Sequence, residues 1–165
     1  MKFIPIRYPD QEAFPAKKWH YDNEGMFVFR GKLYFLTKHR KAGEPMGWEP
    51  GTHLYRLNDM KTDEFNVLEK VDSHDRITLV TGADLSPDGE HLAILCYTQL
   101  WVFERPRSGD KWLSTDARMI PLTLEQTRQV EAVTWQDNDT IIFGNEQSRL
   151  YTVELADFPE SGDSR

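Results

Sequence analysis

The apolar positions of this chain come in short runs, among them Met26–Phe29, Leu33–Leu36 and Leu92–Cys96, in a sequence punctuated often by glycine and proline. Runs this brief, rich in aromatic and β-branched residues, predict strands rather than helices. In "TGADLSPDGEHLAILCY" the segment Ser86-Pro87-Asp88-Gly89 supplies what a tight turn demands: a local acceptor, a fixed φ and a residue that tolerates positive φ. A hairpin is predicted, with "TGADL" leading in and "HLAILCY" leading out. In the second strand Leu92, Ile94 and Cys96 alternate with Ala93, Leu95 and Tyr97, so both faces are apolar, as in a sheet covered on both sides.

The same grammar occurs twice more. "NEGMFVFRGKLYFLTKH" runs from Asn23 to His39 with Arg30-Gly31 as its turn, and "VEAVTWQDNDTIIFGNE" runs from Val130 to Glu146 with Asp137-Asn138-Asp139. Each copy is followed by a third strand that opens on leucine and an aromatic residue. Those leucines, Leu54, Leu100 and Leu150, recur at intervals of 46 and 50 residues, the period of a propeller blade. Fourth strands are predicted in "EFNVLEKV" (Glu64 to Val71) and "ARMIPLTL" (Ala117 to Leu124), but the third copy is followed only by the polar "ADFPESGDSR". "KFIPIRY" near the N-terminus alternates as a strand, and Pro5 and Pro9 suit an outermost edge. One short helical turn is predicted near Glu125 to Gln129.

The residues "LSPDGEHLAIL" resemble the strand-turn-strand repeat of WD-like propellers of the Tol type. The wider pattern, "RYPD", "YDNEGMFVF", "VTGADLSPDGEHLAILCYT" and "VEAVTWQDNDTIIFGNE", is similar to the second half of a family of bacterial six-bladed β-propellers, from about Arg7 to Leu155. The resemblance implies an all-β, propeller-type fold of three four-stranded antiparallel blades, half of a six-bladed ring. The whole chain, 1–165, would be one half-propeller unit, with blades at about 20–72, 77–124 and 129–156. Three blades cannot close a ring, since propellers need four or more. The expected remedy is a homodimer in which residues 2–8 of one chain complete the third blade of the other. A second chain carrying the missing blades would serve equally, and so would a longer parent protein.

Composition narrows the function classes. With 27 acidic against 20 basic residues the formal charge is -7, which disfavours nucleic acid; Lys17-Lys18 and Lys38-His39-Arg40-Lys41 read as solvated loops. Cys96 is the sole cysteine, so no internal disulfide or thiolate metal cluster is expected. Pro5 and Arg7 break the opening apolar stretch, and no segment approaches the roughly twenty apolar residues of a membrane span. As encoded the chain reads as cytoplasmic, without a membrane partner; a fragment of a longer exported precursor would read the same.

Candidate chemistry gathers at the strand ends. Glu24 and Glu131 open the innermost strands of two copies, and with Asp22 they form a candidate oxygen-ligand set for calcium. Gly82 or Asp84 holds the matching position of the second copy. Lys38 and Glu146, near the ends of the second strands, form a candidate ligand-recognition pair, and Trp48 in the loop "GEPMGWEPG" is a candidate aromatic anchor. No nucleophile elbow, zinc-protease motif or phosphate loop occurs. Ser73-His74-Asp75 reads as a loop, and His20, His39, His53 and His91 are scattered. The expected function is therefore a non-enzymatic binding or scaffold module that assembles into a ring. The alternative is a calcium-dependent phosphate- or carboxyl-ester hydrolase acting at the channel mouth.

Overall fold

The computed structural model describes residues 1–44 and 46–160. It is all-β, with three antiparallel sheets of four, four and three strands. Sheet one holds β2 (Trp19–Phe29), β3 (Lys32–Arg40), β4 (Thr52–Leu57) and β6 (Glu69–His74). Sheet two holds β7 (Val80–Leu85), β8 (His91–Cys96), β9 (Gln99–Glu104) and β10 (Ala117–Pro121), and sheet three holds β11 (Val130–Trp135), β12 (Thr140–Asn145) and β13 (Arg149–Glu154). The predicted helical turn is α1 (Leu124–Thr127), capped by the Thr123 side chain. None of the helices among the described residues is long and apolar enough to cross a membrane.

The turns form where their chemistry requires them. Arg30 and Gly31 both take positive φ, 48° and 72°, which is the hairpin geometry that matches strand twist. At the second hairpin Gly89 has φ 73°. Its N–H donates to the Ser86 carbonyl at 2.8 Å, while Ser86 Oγ donates to Asp88 at 2.6 Å and accepts from the His91 N–H at 2.9 Å.

Sheet two lies between the other two, as its doubly apolar strand predicts. Leu92, Ile94 and Cys96 pack with Phe27, Phe29 and Leu36 of sheet one. Ala93 and Leu95 pack with Val130, Ile141 and Phe143 of sheet three. The first strands run side by side, with β7 against β2 on one flank and β11 on the other. That approach depends on small residues: a Cβ at Gly25 would stand 3.0 Å from Ala83 Cβ, and one at Gly82 would stand 3.2 Å from Val133 Cγ1. The arrangement is compatible with a β-propeller-like fold.

Polar clamps fix the stack. Asp84 Oδ2 accepts from the Trp135 N–H at 2.9 Å and from Thr134 Oγ1 at 2.8 Å, and the Asp84 carbonyl accepts from Trp135 Nε1 at 3.1 Å. Asp84 thus joins sheet two to sheet three rather than taking part in a ligand set. Between sheets one and two, Asp110 accepts from Tyr34 at 3.0 Å and pairs with Arg56.

The N-terminal segment lies against its own chain. Strand β1 (Ile6–Arg7) pairs in parallel with β5 (Asn66–Val67), and Tyr8 packs with Phe35, Tyr55 and Leu68 on the outer face of sheet one. Of the predicted strand at 2–8, only Ile6–Arg7 is extended and paired, and Met1–Phe3 is exposed. The serine-histidine-aspartate run is not wholly loop. Ser73 and His74 end β6, and the His74 ring rests 5.2 Å from Trp101, between ring centroids.

Candidate functional site

Four of the six residues singled out from the sequence come together at one end of the first strands. Lys38 Nζ donates to Glu24 Oε1 at 2.7 Å, and Arg40 Nε donates to Asp22 Oδ2 at 3.0 Å. Lys38 also sits 5.2 Å from the centre of the Tyr97 ring, and the Tyr97 hydroxyl donates to Glu131 Oε1 at 2.6 Å. The chain of contacts runs through all three sheets, from Asp22 in sheet one to Glu131 in sheet three. Burial pushes the Glu24 carboxyl up, against the pull of Lys38, and burial with Glu131 behind it raises Tyr97.

This geometry changes the roles assigned from sequence. Lys38 is only 2% exposed and donates to Glu24, with no contact to Glu146 among the described residues. Glu146 is exposed after β12, its backbone N–H donating to the Gln129 carbonyl at 3.3 Å. Trp48 is half-exposed, its backbone bridged to Arg40. Asp22, Glu24 and Glu131 each hold a cation or a hydroxyl donor. Among the described residues no three His, Cys, Asp or Glu side chains form a group that could hold a metal ion.

A second cluster was not legible in the sequence. His20, His39 and His53, from β2, β3 and β4, meet beside a cleft of about 590 Å³. The His20 and His39 rings stack 4.0 Å apart and 5° from parallel, and His53 meets His39 edge-on at 4.5 Å. Parallel stacking keeps the in-plane lone pairs of His20 and His39 in separate planes, which explains why three imidazoles this close do not make a metal centre. His20 Nε2 lies 2.6 Å from Glu49 Oε2. His53 Nδ1 lies 3.2 Å from the Tyr55 hydroxyl, which itself donates to Asp10 at 2.9 Å.

Burial lowers His39 to about 3 and His53 to about 4, with neighbouring positive charge adding to the effect; for His39 a hydrogen bond with the Pro50 carbonyl pulls the other way. Both are neutral at pH 7. Burial also raises the Cys96 thiol to about 12, so it is an inert filler of the core.

Two bulges bring the imidazoles together. An unbroken register from the Arg30-Gly31 turn would set His20 opposite Lys41. Shifts between Asn23 and Gly25 and between Trp19 and Asp22 slide the strand until Trp19 faces Arg40, which leaves His20 and Tyr21 against His39 and lets the His20 and His39 rings stack. The signal in the sequence was Gly25 within an apolar strand, a common mark of a bulge.

No protein-family model matches the chain, and no curated protein is similar to it.

Proposed function

We propose that this chain is a non-enzymatic binding or scaffold module, a half-propeller that completes its ring by pairing with a second copy of itself. The observation that carries the reading is sheet three, one strand short of the other two among the described residues, together with the apolar residues left bare beside the N-terminal segment on sheet one. Among the described residues sheet three has three strands where the others have four, and β13 has no strand paired on its outer edge, a ready site for strand addition. On the face of sheet one turned away from sheet two, Met26 and Val28 are 53% and 60% exposed; on sheet three Leu150 is 79% exposed. In a two-fold dimer, sheet three of each copy meets sheet one of the other, and both contacts are made at once.

Static light scattering over a dilution series tests this. A mass twice that of the 19.3 kDa chain supports the pairing, and a monomer at every concentration overturns it. The alternative reading, a calcium-dependent ester hydrolase, asks Asp22, Glu24 and Glu131 to leave Arg40, Lys38 and Tyr97. It is the less supported of the two. Melting with calcium against chelator separates them, since a metal that binds only the folded state raises its melting point.

A further inference from the structure

We propose that the cleft beside His20, His39 and His53 binds a small organic anion that carries hydroxyl groups, such as a sugar acid or a sugar phosphate. The volume, about 590 Å³, suits a ligand of that size. Its chemistry follows from proton positions that the hydrogen bonds dictate. The Tyr55 hydroxyl has one proton and gives it to the Asp10 carboxylate. The His53 nitrogen facing that hydroxyl, Nδ1, must then carry its own proton, because the oxygen can only accept. In the neutral ring this leaves His53 Nε2 as a bare acceptor, and it asks a ligand for an O–H or N–H.

His39 lies behind it, out of reach of a ligand unless the wall opens. Its Nε2 is buried without a hydrogen-bond partner, in a residue only 3% exposed. A buried nitrogen left unmet costs stability unless something fills its need. Lys17, Lys18 and Lys70 also line the cleft. Lys70 pairs with Asp10 at 3.6 Å, but Lys17 and Lys18 form no ion pair among the described residues. Two lysines without an ion pair among the described residues, beside neutral acceptors, favour an anion with hydroxyl donors over a cation. Asp10, Glu12 and Asp75 line the same cleft and equal its three lysines in number, which acts against polyanions.

Every residue named comes from one chain, so the site does not need the dimer, and a monomer in solution leaves this proposal standing. The test is titration of the whole chain at pH 7, following the imidazole resonances by NMR. The probes are gluconate, glucose 6-phosphate, glucose and inorganic phosphate. Gluconate or glucose 6-phosphate is expected to shift the His53 signals saturably, the tighter of the two naming the anionic group. Glucose and inorganic phosphate, each with half of the required chemistry, should bind at least about tenfold more weakly.

Two variants localise the effect. Lys17→Ala/Lys18→Ala removes surface charge alone, and His53→Asn keeps a donor toward Tyr55 while deleting the Nε2 acceptor. Each is expected to weaken binding by about tenfold or more; the lysine variant should melt as the parent does, and the His53 variant is read at a temperature where its own melt shows it folded. The proposal is overturned if neither hydroxylated anion shifts the resonances, if glucose or inorganic phosphate binds as tightly, or if the lysine variant binds like the parent chain.

Discussion

Sheets one and three flank the same central sheet, yet they end the stack in opposite ways. Sheet one has a fourth strand, a segment strapped over its outer face by Tyr8, and a cleft floored by imidazoles. Sheet three stops at β13 and turns Ala132, Thr134, Leu150 and Thr152 to solvent. Its inward side, with Val130, Ile141 and Phe143, is as well packed as any strand in the protein. The contrast teaches that burial here follows the neighbour and not the strand: the same alternating pattern yields a core when another sheet lies above it and a bare face when none does.

The sharpest way to break the contrast is Tyr55→Ala. Tyr55 is fully buried under the N-terminal strap and bonded to Asp10, so its loss should cost about 3–5 kcal/mol in urea unfolding. Leu150→Ala should change stability by less than about 0.5 kcal/mol. Equal losses at the two positions would mean that the two end faces are not built differently.

Acid comes next. His39 and His53 titrate near the ordinary imidazole value of 6.5 when unfolded, and burial lowers them to about 3 and about 4 in the fold. The unfolded chain therefore takes up protons first. Stability from these groups is intact above about pH 6.5 and is lost as pH falls toward 4 and then 3. Amide exchange should show β2, β3 and β4 opening before β11 to β13 as the pH drops. His39→Leu should flatten the dependence of the urea midpoint on pH; a slope equal to the parent's would remove His39 as its cause.

A smaller effect is expected from Asp84→Ala, which leaves the Trp135 N–H and the Thr134 hydroxyl without their shared acceptor. The cost should be about 1–3 kcal/mol, with exchange fastest in sheet three. The smallest effect on the fold belongs to Leu150→Arg. It should leave the urea midpoint within about 0.5 kcal/mol while abolishing any self-association seen by light scattering; a dimer that survives the change would place the contact elsewhere.

Much of the strand plan was legible along the chain. The Arg30-Gly31 and Ser86–Gly89 turns and the doubly apolar "HLAILC" strand lie where local chemistry set them, and no fourth strand of the third unit occurs among the described residues. The site was legible only in pieces. Glu24, Asp22, Lys38 and Glu131 were chosen as strand-end charges, and they do converge, but as partners of one another and of Arg40 and Tyr97. Tyr97 lies near the end of the second strand of its unit as Lys38 does, but nothing along the chain joined its hydroxyl to Glu131, and nothing in the spacing of His20, His39 and His53 joined them.

By itself the sequence determined what a few adjacent residues can settle: which stretches extend, where they turn, and which strand needs cover on both sides. These follow from φ preferences and a side-chain period of two, both local. Only the tertiary structure decided which ends of those strands share a neighbourhood. Bulges shift register by a residue at a time, and stacking brings together side chains from separate sheets, so the histidine cluster and the charged chain from Asp22 to Glu131 exist only once the sheets are assembled.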